Sequence, residues 1–177
     1  MLPDLTFVLG GAASGKSDFA ERLLLSVGAS PVYIATAHAW DKEMETRIAR
    51  HKARREQHWR NIEAPRDLVG ALAGIRDDDA VLIDCATLWL SNQLMAHAHI
   101  GDEETRLLAA LAACPAPVVI VSNEVGHGIV PANAQARAFR EAQGRLNQKL
   151  AAQAGMAVLV TAGMPIALKG SLPPGLV

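Results

Sequence analysis

Leu5-Thr6-Phe7-Val8-Leu9 is a short apolar run that hands directly to Gly10-Gly11-Ala12-Ala13-Ser14-Gly15-Lys16-Ser17, and a helical pattern continues from Lys16 to Val27. The middle segment satisfies G-x-x-x-x-G-K-[ST], a phosphate-binding loop. A strand feeding a glycine loop feeding a helix aims successive backbone N–H groups, and the helix's positive end, at a bound phosphate. In this reading Lys16 reaches the β- and γ-phosphates and the Ser17 hydroxyl sits on Mg²⁺. The competing reading is a glycine-rich turn that ends in Lys-Ser by coincidence. The strand on one side and the helix on the other favour a nucleoside triphosphate site.

The same alternation runs through the rest of the chain. Strands are expected at Leu5–Leu9, Pro31–Ala35, Ala80–Asp84, Pro117–Ser122 and Met156–Thr161, with a short one at Trp59–Glu63 and an edge strand at Ile166–Lys169. Helices are expected at Lys16–Val27, Asp41–His58, Arg66–Ile75, Thr87–His97, Asp102–Ala112 and Ala132–Ala154. The strand segments are β-branched and almost uninterruptedly apolar, which suits parallel strands covered on both faces. Such a succession predicts an α/β fold, a doubly wound and mostly parallel sheet flanked by helices. Ligands of these sheets sit outside the carboxyl ends of the strands. The residues that matter most therefore follow the strands: 10–17, 36–38, 84–87, 123–131 and 162–163.

Half of the 177 residues are apolar but only 4% are aromatic, so the core is built from Ala, Val, Leu and Ile, and one domain over residues 1–177 is expected. A formal net charge of -1 gives no reason to expect attraction to nucleic acid or to membrane surfaces. Cys85 and Cys114 lie in or beside apolar runs and form no disulfide framework, which suits a reducing compartment. Pro3 and Asp4 interrupt a signal-peptide pattern, and no apolar stretch has the length of a membrane span. The expectation is a soluble, cytoplasmic protein. His38, His58, His97, His99 and His127 show no spacing with the cysteines that implies zinc.

Three further segments carry chemistry. Val81-Leu82-Ile83-Asp84 is an apolar strand ending in an acid, which would orient Mg²⁺ opposite Ser17; alternatively Asp84 caps the next helix. Asp41–His58 is poor in apolar residues, and Arg47, Arg50, Lys52, Arg54 and Arg55 crowd its surface. It reads either as a solvated helix laced by i,i+4 pairs such as Glu43–Arg47, worth about 0.2–0.5 kcal/mol each, or as a cationic arm that meets the triphosphate. His51 sits among these cations, where the positive field favours neutral imidazole and a nucleophilic nitrogen, though a solvated surface histidine is the plainer reading. Finally, Asn123-Glu124-Val125-Gly126-His127-Gly128-Ile129-Val130-Pro131 follows a buried strand. Its glycines permit close backbone approach, and Asn123 and Glu124 place polar groups at the ligand edge. No Asn-Lys-x-Asp tetrad occurs in the chain, so a guanine-reading molecular switch is not expected.

Taken in order, Gly10–Ser17, Tyr33-Ile34-Ala35-Thr36, Glu43-Met44, Arg47-Ile48-x-x-His51-Lys52, His58-Trp59-Arg60, Asp84-Cys85-x-Thr87, the 123–131 segment and Arg145-x-Asn147-Gln148 resemble the bifunctional adenosylcobinamide kinase / adenosylcobinamide-phosphate guanylyltransferase family of cobalamin assembly. The resemblance covers nearly the whole chain. It implies a P-loop α/β fold of the RecA type, working as a homotrimer with clefts between subunits. It implies phosphorylation of adenosylcobinamide by ATP or GTP, then transfer of GMP from GTP to adenosylcobinamide phosphate, with Mg²⁺ as cofactor. His51 matches the family's guanylylated histidine; Ala35, Thr36, Ala37, Lys52, Ala53, Arg54, Arg55 and Glu63 match positions that contact GTP. Two residues depart from the pattern: Ala13 stands where relatives often carry arginine, and Arg50 where some carry a second histidine.

Overall fold

A computed structural model of the chain describes residues 2–37 and 59–176. The expected helix Asp41–His58 lies outside the described residues. Strands β1 (Leu5–Gly10), β2 (Ser30–Ala35), β3 (Arg60–Glu63), β4 (Asp79–Asp84), β5 (Val118–Asn123), β6 (Met156–Thr161) and β7 (Met164–Lys169) form one sheet in the order β3-β2-β4-β5-β1-β6-β7. Every pairing is parallel except β6 with β7. Helices α1 (Lys16–Leu25), α2 (Leu68–Ala73), α3 (Ala86–Met95), α4 (Ile100–Ala113) and α5 (Ala134–Gln153) complete the described elements.

Strand alternation divides the core into two layers. Val8, Leu82, Val119, Val121 and Val158 point to one face and pack on Phe19, Ala20 and Leu23 of α1. Phe7, Val81, Ile83, Val118 and Ile120 point to the other, against Leu68, Trp89, Leu107, Leu111, Leu146 and Leu150 of the remaining helices. Side chains buried to this degree each contribute about 1.5–3 kcal/mol of transfer free energy. Both faces of the central parallel strands are covered, which is why β1, β4, β5 and β6 read as continuous apolar runs rather than alternating ones.

The boundaries differ from expectation where local hydrogen bonding intervenes. Helix α2 is shorter than Arg66–Ile75 because Asp67 caps it, accepting from the Gly70 N–H at 2.8 Å. The Arg66 carbonyl is meanwhile held by Trp89 Nε1 at 2.9 Å and Gln93 Nε2 at 2.8 Å. The expected edge strand Ile166–Lys169 begins two residues earlier, as β7, and returns antiparallel on β6. Ala162 (φ 53°) and Gly163 (φ 77°) make that turn in the left-handed conformation that tight hairpins require. Among the described residues, no helix is long and apolar enough to cross a membrane.

Candidate functional site

The site is assembled at the carboxyl edge of the sheet, beginning with the loop between β1 and α1. Gly10 admits no side chain: a Cβ there would lie 2.4 Å from Ser14 Oγ and 2.7 Å from the Val160 carbonyl oxygen. Gly15 has φ 91°, which favours glycine, and its Cβ position would face Gly163 Cα at 3.1 Å. The loop is tied from within by Ser14 N–H to the Gly11 carbonyl at 3.3 Å, and from outside by Gly163 N–H to the Ser14 carbonyl at 2.8 Å. Ala13, the departure from the family pattern, is exposed and adopts φ 54°. Lys16 is buried, its ammonium folded back across the loop to donate to the Gly11 carbonyl at 3.0 Å. Ser14 Oγ is buried with no hydrogen-bond partner among the described residues. A buried ammonium and an orphaned hydroxyl beside the start of a helix suit an anion that brings its own oxygens.

The neighbouring strand ends line up with this loop. Parallel pairing sets Glu63, Ala35 and Asp84 in one row across β3, β2 and β4, and sets Gly10 opposite Asn123 across β1 and β5. Glu63 is exposed at the end of β3, and Ala35 and Ala37 are half-buried. Leu82 faces α1, so Asp84, two residues on, faces the same side as Ser17. Both are half-buried, and neither side chain hydrogen-bonds to a described residue. A hydroxyl and a carboxylate are hard oxygen donors of the kind Mg²⁺ takes when phosphate and water supply the rest of its shell.

Thr36, which the family resemblance sets among the positions that contact GTP, is held by hydrogen bonds within the fold. It is fully buried, and every polar group it has is spent inside the protein. Its N–H donates to the Asp84 carbonyl at 3.1 Å and its carbonyl accepts from Asn92 Nδ2 at 2.9 Å. Its hydroxyl bonds twice to Cys85. Thr36 thus fixes the turn that carries Asp84. Cys85 is buried beside that turn; desolvation, then the negative charge of Asp84, push its thiol up to about 11. His51, Lys52, Ala53, Arg54 and Arg55 lie outside the described residues.

A buried polar network escaped the sequence reading. Ser122 Oγ donates to Asn147 Oδ1 at 2.7 Å and accepts from Gln143 Nε2 at 2.9 Å. It also lies 3.3 Å from Thr87 Oγ1, which accepts from the Asn123 N–H at 2.8 Å. Asn147 Nδ2 completes the set by donating to the Asn123 carbonyl at 3.2 Å. Polar residues on the buried stripe of α5 were the available signal; the network they enter joins three separate segments, α3, β5 and α5. The 124–131 loop leaves the same edge, with Glu124 accepting from Gly126 N–H and Arg140 donating to the Gly126 carbonyl.

Residues 6–168 match the model of the family described as cobinamide kinase / cobinamide phosphate guanyltransferase. The chain is 42% identical to the bifunctional adenosylcobalamin biosynthesis protein CobP of Pseudomonas aeruginosa, over 92% of this chain and 96% of that protein. It is 43% identical to the bifunctional adenosylcobalamin biosynthesis protein CobU of Salmonella typhimurium, over 93% of this chain and 99% of that one. Among solved structures it is similar to the RadB recombinase, with a TM-score of 0.52 at 19% identity, covering 89% of this chain and 74% of that chain. That likeness concerns the fold.

Proposed function

This chain belongs to the cobinamide kinase / cobinamide phosphate guanyltransferase family, and from that membership we propose the course of its two reactions and the residues that carry them. The enzyme is a cobinamide kinase and a cobinamide-phosphate guanylyltransferase. In the first step the aminopropanol hydroxyl of adenosylcobinamide attacks the γ-phosphorus of ATP or GTP. The bond to the bridging oxygen breaks and its electron pair leaves on the nucleoside diphosphate. In the second, an imidazole nitrogen of His51 attacks the α-phosphorus of GTP and pyrophosphate leaves. The phosphate of adenosylcobinamide phosphate then displaces the histidine, giving adenosylcobinamide-GDP and restoring the imidazole.

The observation that carries this reading is the cradle at residues 10–17, where a buried Lys16 and the orphaned Ser14 hydroxyl meet the backbone amides of a helix start. Main-chain N–H groups and Lys16 would neutralise charge on the departing phosphates, in a shape fixed before the ligand arrives. Ser17 and Asp84 would hold Mg²⁺, which supplies charge neutralisation to the triphosphate when bound. Ala35, Ala37, Glu63, Lys52, Ala53, Arg54 and Arg55 would surround the nucleotide, with Thr36 acting through the Asp84 turn. A covalent histidine intermediate suits the guanylyl step because it splits one difficult transfer into two easier displacements.

Intact-mass measurement after exposure to GTP and Mg²⁺ tests the covalent step. The expected result is a GMP adduct that maps to His51, is labile to acid, is absent from His51→Ala and is discharged by adenosylcobinamide phosphate. A protein that turns over both reactions without ever gaining this mass has no such intermediate.

A further inference from the structure

The sheet brings one more polar group to the phosphate loop: Asn123, the last residue of β5. Its register partner is Gly10, and the next residue continues the pairing, since the Glu124 N–H donates to the Gly10 carbonyl at 3.0 Å. β5 lies between the strand that carries the loop and the strand that carries Asp84. Direction along β5 follows from its neighbours. Val119 and Val121 pack with Phe19 and Leu23 of α1, whereas Ser122 meets Gln143 and Asn147 on the opposite face. Alternation therefore turns the Asn123 side chain to the α1 face, the face shared by Asp84 and the start of α1.

The main chain of Asn123 is gripped on both sides. Thr87 Oγ1 accepts from its N–H and Asn147 Nδ2 donates to its carbonyl, while Ser122 and Gln143 fix those two side chains in turn. The carboxamide itself is half-buried and hydrogen-bonds to no described residue. Four polar side chains thus converge to hold the backbone beneath a carboxamide that bonds to no described residue. A carboxamide offers two donors and an acceptor, and one locked in place ahead of its ligand meets the requirement for stabilising charge that develops during a reaction.

We propose that Asn123 is a catalytic residue of the kinase step, donating a hydrogen bond from Nδ2 to an oxygen of the transferring γ-phosphoryl group, with Thr87 and Asn147 as its positioning residues. The proposal rests on the reading that residues 10–17 hold the triphosphate. As the acceptor hydroxyl oxygen bonds to the γ-phosphorus, the bridging bond breaks onto the diphosphate and the hydroxyl proton passes to a phosphoryl oxygen and then to solvent. The carboxamide gains and loses nothing; it stabilises the equatorial oxygens while they carry the most charge.

Kinetics of Asn123→Ala and Asn123→Asp, with GTP, Mg²⁺ and adenosylcobinamide, test this alongside Lys16→Ala. Removing one preorganised donor costs roughly 100-fold in kcat, so Asn123→Ala should lose about that factor while its KM and Kd for GTP stay within about threefold. Asn123→Asp keeps the size but replaces the donor with a negative oxygen, and should lose at least as much. Melting temperatures should match the parent, because truncating this side chain breaks no hydrogen bond among the described residues. A kcat within twofold of the parent overturns the proposal, and so does unfolding of both variants, which would make the side chain structural. If Lys16→Ala keeps the parent affinity for GTP, the triphosphate lies elsewhere and the reading of the loop falls with the proposal. If Lys16→Ala loses that affinity while Asn123→Ala keeps its kcat, the assignment to Asn123 alone falls.

Discussion

The hydroxyl of Thr36 donates to the carbonyl of Cys85 and accepts from the Cys85 N–H, each at 2.7 Å, closing a two-way bracket between the end of β2 and the end of β4. Thr36→Val keeps the shape and removes both bonds. An unsatisfied buried polar group costs about 1–3 kcal/mol, and two are created here. Chemical denaturation should report a loss of about 2–6 kcal/mol, together with weaker Mg²⁺-dependent activity, because Asp84 hangs from the same turn. Unchanged stability in Thr36→Val would show that Cys85 finds other partners.

Gly10→Ala should damage the site more than its one added carbon suggests. Ser14 can turn its side chain away, but the Val160 carbonyl 2.7 Å from the new methyl belongs to the backbone of β6. Overpacking of this kind costs about 1–3 kcal/mol, and opening the loop to relieve it displaces the amides meant for phosphate. GTP affinity, read by isothermal titration, is expected to fall at least tenfold. An affinity equal to the parent's would show that the loop relaxes without consequence.

The Cys85 thiol gives the stability curve a defined slope in alkaline solution. Its pKa rises from 9.0 to about 11 on folding, so between those values the folded chain holds a proton that the unfolded chain releases. Stability is therefore intact below pH 9 and falls as pH climbs toward 11, by on the order of 3 kcal/mol. Urea midpoints measured across that window should decline more steeply for the parent than for Cys85→Ala. At pH 8 a thiol reagent should reach the half-buried Cys114 while Cys85 stays unmodified until the protein is denatured.

The two chemistries should separate by mutation. Phosphoryl transfer to an alcohol needs the loop, the metal oxygens and positioning, whereas the guanylyl step as proposed also needs a nucleophile. His51→Ala is expected to abolish adenosylcobinamide-GDP formation while kinase kcat stays within about threefold. Loss of both activities in a folded protein would refute that separation.

Much of this architecture was legible because local and global signals agree. The run Leu5–Leu9, its glycines and Lys16–Val27 specify strand, turn and helix within a few consecutive residues, and the central parallel strands are buried on both faces, so their apolar runs are unmistakable. The hairpin at Ala162–Gly163 was harder to see, because Ala in a left-handed turn is a weak signal and β7 exposes Met164, Ile166 and Leu168. The internal hydrogen bonds of Thr36 were not legible, because its partners Cys85 and Asn92 lie far along the chain. The grip on Asn123 was hidden for the same reason, since Thr87, Gln143 and Asn147 meet only after the sheet has closed.

Gly163 N–H holds the Ser14 carbonyl from a point far along the chain. During synthesis, the loop waits until residue 163 has left the ribosome before its outer brace exists. A nascent polypeptide stalled anywhere upstream would carry the complete octapeptide and still lack its finished shape. The finished shape of the loop therefore depends on a residue far along the chain.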